Sequence, residues 1–182
     1  MDYYMIEKFI FLTFVMTSVL MSSGASRAEN CPAAISEADV IQAEERWGKG
    51  LVEIGAAQDA RAVATKFIAD AYGYQEGTVL FKPTKASVVE FRDTPEDALS
   101  YFVTGRLAED HGFALTPYAN VRFENHAIIY DCKTAISMGN YYFTAKDGSV
   151  TKADYTMGFI KTADGHLKIN IQHSSLPYTP SH

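Results

Sequence analysis

Apolar residues recur at steps of three and four positions in the first part of the chain, a spacing typical of amphipathic helices. The first stripe consists of Val40, Ala43, Trp47, Leu51 and Ile54. Ser36 and Asp39 precede it at the spacing of a capping box, which predicts where the helix begins. The second stripe consists of Ala62, Val63, Phe67, Ile68 and Ala71, and we expect Gly73 to close that helix in a left-handed conformation.

A third helix is predicted to begin at Thr94, an N-cap residue that is followed by Pro95 at the first helical position. The missing N–H of proline costs nothing there, because that group has no partner inside a helix. The inward-facing residues are expected to be Ala98, Leu99, Phe102 and Val103.

From residue 119 onward, β-branched and aromatic residues recur at alternate positions, and glycine turns are expected at Asp147-Gly148 and Asp164-Gly165. This pattern is typical of strands. Strands are predicted near residues 119–131, 133–145, 150–162 and 166–174, paired as an antiparallel meander. Helices packed on one face of a strongly curved antiparallel sheet define an α+β domain. We expect the sheet and the helices to enclose a pocket.

The amino terminus has the pattern of a secretory signal peptide. Lys8 precedes the apolar run Phe9–Met21, which is shorter than the roughly 20 residues that span a bilayer. Ser26 and Ala28 suit a cleavage site, so residues 1–28 are predicted to be removed after Ala28. An uncleaved anchor is the alternative, because Asp2 and Glu7 offset the single cation before the apolar run. Secretion across the inner membrane and a periplasmic location follow from the main interpretation.

The composition fits one packed domain, predicted over residues 29–182. Of the 182 residues, 47% are hydrophobic and 21% are charged. Acidic residues outnumber basic ones 22 to 16, and the net charge is −6. This charge argues against a nucleic-acid partner held through its phosphates. No membrane attachment is expected after removal of the leader.

The two cysteines, Cys31 and Cys132, both lie beyond the predicted cleavage site. In an oxidising compartment such a pair usually forms one disulfide, and two free thiols are the alternative. Their number and spacing do not suit zinc.

The last predicted strand places a histidine in phase with apolar residues. Leu167, Ile169, Ile171 and His173 alternate, so we expect His173 to point into the interior and Ser175 to share its face. A titratable base and a hydroxyl would then be adjacent. A core histidine with satisfied hydrogen bonds is the alternative. The other histidines are interpreted as surface or loop residues: His111, His126, His166 and His182.

Two further polar residues stand next to apolar stretches. Thr84 follows Pro83 at the end of the run Val79–Phe81, and Tyr101 lies one position off the stripe of the third helix. A turn threonine and an interfacial tyrosine are the simpler interpretations of these two.

Five segments taken together resemble the iota-class carbonic anhydrases. They are Tyr72-Gly73-Tyr74, Val79-Leu80-Phe81-Lys82-Pro83-Thr84, Ala98-Leu99-Ser100-Tyr101-Phe102-Val103, Met138-Gly139-Asn140-Tyr141-Tyr142-Phe143 and His173-Ser174-Ser175-Leu176-Pro177. The resemblance runs from about Cys31 to Tyr178. It implies an NTF2-like cone, related to the association domain of calcium/calmodulin-dependent kinase II, which agrees with the fold expected from the pattern.

The resemblance implies reversible hydration of carbon dioxide to bicarbonate and a proton. It assigns Thr84, Tyr101, His173 and Ser175 to catalysis, with Ser174 and Phe102 beside the substrate. The hydroxyls would hold water and bicarbonate, and His173 would orient a hydroxyl or carry the proton.

A departure from the family pattern bears on the cofactor. Gln172 precedes His173, where many relatives carry another histidine, so metal-free catalysis is expected, with zinc or manganese as the alternative.

Two other functions are compatible with an NTF2-like cone. One is a noncatalytic periplasmic binding or oligomerisation module. The other is an enzyme of the ketosteroid-isomerase type, whose base would be a strand carboxylate such as Asp131 or Asp154. A homodimer is expected, because we expect aromatic residues such as Tyr141 or Tyr142 on the outer sheet face, which a second copy could cover.

Overall fold

Three helices form where the apolar stripes predicted them, in a computed structural model that describes residue 31 and residues 34–180. Helix α1 spans Glu37–Ala56, α2 spans Ala60–Ala71 and α3 spans Pro95–Val103. The Ser36 hydroxyl accepts a hydrogen bond from the Asp39 amide, and the Asp39 carboxylate accepts one from the Ser36 amide, so the predicted capping box is confirmed. Thr94 caps α3 as predicted.

The end of α2 differs from the prediction. The helix stops at Ala71 because Tyr72 already has an extended backbone, which forms a parallel bridge to Ile169. The amide of Gly73 donates to the Ile169 carbonyl at 2.9 Å, so Gly73 joins the sheet and does not adopt a left-handed conformation.

Five strands form one sheet in the order β1-β5-β4-β3-β2. They span Leu80–Lys82 (β1), Tyr118–Tyr130 (β2), Thr134–Ala145 (β3), Val150–Lys161 (β4) and Leu167–Ser175 (β5). The four predicted strands pair as an antiparallel meander, with the predicted glycine turns at positive φ. The sheet as a whole is mixed, because β1 adds to its edge parallel to β5.

The core lies between the helices and the inner face of the sheet, where aromatic rings dominate. Trp47 of α1 is its centre, with ring contacts to Phe67, Phe102, Phe123, Tyr141 and Phe143. Buried rings of this size contribute a large share of the hydrophobic stabilisation.

Cys31 and Cys132 form a disulfide, with their Cα atoms 5.7 Å apart. The bond ties the start of the described chain to the turn between β2 and β3. The predicted leader, residues 1–28 with cleavage after Ala28, lies outside the described residues, as does His182. No helix within the described part of the chain is long and apolar enough to cross a membrane.

Candidate active site

A small cavity lies between the inner face of the sheet and α3, and polar and aromatic side chains share its wall. Its lining comprises Trp47, Phe81, Pro83, Thr84, Tyr101, Phe102, Phe113, Tyr141, Gln172 and Ser174. The space that the centre of a water molecule can reach is about 10 Å³, which suits one water molecule. The structure therefore brings together four of the predicted residues, Thr84, Tyr101, Phe102 and Ser174.

Three hydroxyls in this cavity form a chain of hydrogen bonds. Tyr141 donates to the Ser174 hydroxyl, and Ser174 shares a second hydrogen bond with Thr84. Three hydroxyl protons serve two bonds, so one proton remains for a molecule in the cavity. Either Thr84 or Ser174 presents it, depending on the direction of their shared bond. Such a chain can reverse its direction when the bound molecule changes from acceptor to donor.

Tyr101 supplies a second free donor. Its side chain is buried, and its hydroxyl has no hydrogen-bond partner. Burial raises the pKa of Tyr101 well above its ordinary value. Burial also raises the pKa of Tyr141. Both phenols are therefore neutral near pH 7 and act as donors.

The floor of the cavity is fixed by a second set of hydrogen bonds. The Trp47 indole donates to the Tyr72 hydroxyl at 3.0 Å, and Tyr72 donates to the side-chain oxygen of Gln172. Gln172 and Tyr72 are both buried in the core. These hydrogen bonds give the Tyr72 hydroxyl and the Gln172 side-chain oxygen partners in an aromatic surrounding.

The segment that carries Thr84 is fastened to the loop after α3. The Glu109 carboxylate accepts hydrogen bonds from the amides of residues 87–89 at 2.7–2.9 Å, and these bonds lower its pKa to about 2. The guanidinium of Arg92, fully buried, donates to Asp110 at 2.8 Å and lies 5.8 Å from the Tyr101 ring centroid. These contacts connect the positions of Thr84 and Tyr101.

The expected orientation of His173 and Ser175 is wrong. His173 is exposed and Ser175 is half-buried, and both line a pocket on the outer face of the sheet. The reason is a register shift in β5: Phe159 pairs with Ile169 and Gly158 pairs with Ile171, so Asn170 has no partner on β4. An extra residue in one strand reverses which side chains face inward. Beyond it Gln172 and Ser174 point to the core.

The outer pocket has a volume of about 380 Å³, and Asn140, Asp154 and His126 line it beside His173 and Ser175. Asn140 donates to Asp154 at 2.6 Å. Asp131 is exposed and accepts amide hydrogen bonds in the turn before β3. Neither aspartate lines the inner cavity, so the geometry gives no support to an isomerase with one of them as its base.

Sequence reasoning missed Tyr141 and Gln172 as cavity residues. The expected position of Tyr141 on the outer face is wrong, because Tyr141 is buried, while Tyr142 contacts Arg122 outside. The alternation of β3, in which Ala135, Ser137 and Tyr141 face inward, was the signal that could have found it. Within the described residues, no group of three or more His, Cys, Asp or Glu side chains could hold a metal ion.

The fold is that of the NTF2-like class, a cone that hosts many functions. It aligns with an NTF2-like family protein from Streptomyces avermitilis (TM-score 0.51, 12% identity, 78% of this chain and 96% of that chain). It also aligns with a calcium/calmodulin-dependent protein kinase II association domain from Xanthomonas campestris (TM-score 0.57, 24% identity, 81% and 91%). At these identities both likenesses concern the fold alone.

The family model for metal-independent carbonic anhydrase matches residues 38–176, and the chain belongs to that family. It is 47% identical over 154 residues to a metal-independent carbonic anhydrase from Nostoc sp. strain PCC 7120, covering 80% of this chain and 75% of the relative. It is 44% identical to a cyanobacterial iota-carbonic anhydrase solved with bicarbonate (TM-score 0.78, 81% of this chain and 96% of that chain). The family resemblance is thereby confirmed, and the family name agrees with the expectation of no metal cofactor.

Proposed function

We propose that this chain catalyses the reversible hydration of carbon dioxide in the inner cavity, without a metal ion. The observation that carries the proposal is the convergence of Thr84, Ser174 and Tyr141 with the unpartnered hydroxyl of Tyr101. The cyanobacterial relative was solved with bicarbonate, which is the product of this hydration.

The cavity suits a reaction in which negative charge develops on oxygen. Tyr101 and the hydroxyl chain offer two donors beside a small space that is lined largely by aromatic rings. Donors held in place before the reaction stabilise the developing carboxylate oxygens more than the neutral carbon dioxide. The apolar rings beside them, Phe81, Phe102 and Phe113, suit an uncharged substrate.

The lining of the inner cavity lacks a side chain that readily accepts a proton. Among the residues around the cavity there is no carboxylate, imidazole or amine, so the proton of the attacking water must leave the cavity. Bicarbonate has four heavy atoms, more than the present space admits, so we expect side chains around Thr84, which is half-buried, to shift when it binds.

The test is stopped-flow hydration of carbon dioxide with a pH indicator, before and after exhaustive chelation. Activity is expected to survive chelation. Thr84→Val keeps the shape and removes the hydroxyl, and it should lower kcat/KM by about 100-fold. Thr84→Ser is the matched control and should retain most of the activity. Wild-type protein without activity, or a fully active Thr84→Val, would contradict the proposal.

We also propose that the protein is exported to the periplasm and acts as a homodimer. The disulfide between Cys31 and Cys132 supports an oxidising compartment. For the dimer, the outer sheet face aligns an apolar row across all five strands, in register: Leu80, Ile171, Gly158, Ile136 and Ile129. Leu80 and Ile129 are 61% and 65% exposed, and a second copy would cover such a row.

Ile136→Lys should convert the dimer into a monomer in light scattering during gel filtration. Val150→Lys, at an exposed position at the start of β4, is the control and should leave the mass unchanged. A monomeric wild type would contradict the dimer. Export is tested by the cellular fraction in which the full-length chain accumulates, with deletion of residues 2–28 as the comparison.

A further inference from the structure

A second concavity lies beside the inner cavity and shares part of its wall. This vestibule has a volume of about 180 Å³, and its lining includes Lys85, Tyr101, Asp110, His111 and Phe113. Tyr101 and Phe113 also line the inner cavity, and their rings stack with centroids 5.2 Å apart. Lys85 directly follows Thr84 in the chain. The vestibule thus borders the inner cavity across the rings of Tyr101 and Phe113.

The charged groups facing the vestibule are mostly committed to other contacts. Asp110 binds the buried Arg92, and Glu109 accepts from the amides of residues 87–89. Lys85 is exposed and contributes positive charge, which favours an anion leaving the cavity. His111 is exposed at the same rim. Histidine is the side chain that exchanges protons readily near neutral pH.

We propose that His111 carries the proton between the inner cavity and the solvent. The inference rests on the proposed carbon dioxide hydration. It assigns the proton-carrying role expected for His173 to a residue on the side of the sheet that holds the inner cavity. His173 lines the outer pocket, so the sheet itself separates it from the cavity.

The oxygen of the attacking water forms a bond to the carbon of carbon dioxide, and its O–H bond breaks with the electron pair staying on oxygen. The proton passes through water in the vestibule to a neutral nitrogen of His111. The resulting imidazolium releases it to buffer, which regenerates the neutral ring. In dehydration the same transfers run in reverse.

The test compares His111→Gln with wild type by stopped-flow hydration at low buffer concentration. His111→Gln should lower kcat by about tenfold and leave kcat/KM nearly unchanged, because hydration itself precedes release of the proton to solvent. Added imidazole buffer should restore kcat. The kcat of the wild type should also fall in deuterium oxide, since proton transfer would limit turnover.

His166→Gln is the matched control, since His166 lies at the turn before β5, away from the vestibule, and it should match wild type. A His111→Gln protein with wild-type kcat at low buffer would overturn the inference, as would equal losses in kcat and kcat/KM that imidazole does not restore. In either case an active wild type would leave the proposed function standing. An inactive wild type would overturn both.

Discussion

The two faces of the sheet hold two very different groups of polar residues. The outer pocket is the larger, and it contains the residue types that usually suggest catalysis: two histidines, Asp154 and Ser175. The inner cavity has room for about one water molecule and offers only hydroxyls, phenols and an amide. Yet most of the inner groups are buried, they lie close together, and the Tyr101 hydroxyl has no hydrogen-bond partner. The proposed function therefore rests on burial and orientation and not on the residue types that usually suggest catalysis.

The neighbouring serines provide the sharpest way to test this comparison. Ser174→Ala removes the centre of the hydroxyl chain and leaves Thr84 and Tyr141 without that partner, so kcat/KM should fall by about 100-fold. The melting temperature should also drop, since a buried unpaired hydroxyl costs about 1–3 kcal/mol. Ser175→Ala, one residue away on the outer face, should stay within about twofold in the same assay. Equal losses in the two variants would break the comparison.

The tyrosine pair Tyr141 and Tyr142 repeats the test on β3 with a smaller effect. Tyr141→Phe keeps the stacked ring and removes one donor from the chain, so kcat should fall by about tenfold, less than for Ser174→Ala. Tyr142→Phe should leave kcat unchanged, because its ring contacts Arg122 outside the cavity. Steady-state kinetics of both variants decide the matter, and a sensitive Tyr142 would count against the inner site.

Glu44 of α1 is a buried carboxylate, and it tests whether burial on the inner side of the sheet also affects the free energy of unfolding. Burial raises the pKa of Glu44 above its ordinary 4.5, while Asn125, Ser137 and Tyr155 oppose the rise. The folded state then binds more protons than the unfolded state, so the free energy of unfolding should decrease as pH rises above 4.5. Glu44→Gln should lose this part of the pH dependence in urea titrations. A decrease of the same size in the variant would assign it to other groups.

The smallest effect is expected at His173. His173→Gln should keep kcat and kcat/KM within about twofold of wild type, because the side chain is exposed on the outer face. Measurement at several pH values makes the test strict. A large loss in kcat would show that the outer face takes part in the reaction.

Local patterns were sufficient for most of the fold. Apolar spacing and caps located α1 and α3, and glycine turns located the meander, because these signals act over a few residues. The strand Leu80–Lys82 was missed as a strand, because three residues are too few to show alternation and its partner β5 lies far along the chain. The parallel edge of the sheet therefore depends on tertiary packing.

The site was predictable where a side chain's direction follows from its own element, and not where a distant contact decides it. Thr84, Tyr101, Phe102 and Ser174 are assigned to the site only through the family resemblance, and the structure places all four in the lining of the inner cavity. His173 was oriented wrongly because alternation was extended across Asn170, whose extra position is visible only in the pairing with Gly158 and Phe159. A bulge leaves no mark in hydrophobic spacing.

The disulfide also acts on the unfolded state of the protein. Cys31 and Cys132 are 101 residues apart, so the bond turns most of the unfolded chain into a closed ring. In the chain-entropy model, closing a ring of roughly 100 residues lowers the conformational entropy of the unfolded chain. This stabilises the folded state relative to the unfolded state by about 4.7 kcal/mol. That is comparable to the whole stability of a domain, about 5–15 kcal/mol. Whether the native state predominates thus depends on the thiol chemistry of the surroundings as well as on the contacts inside the cone.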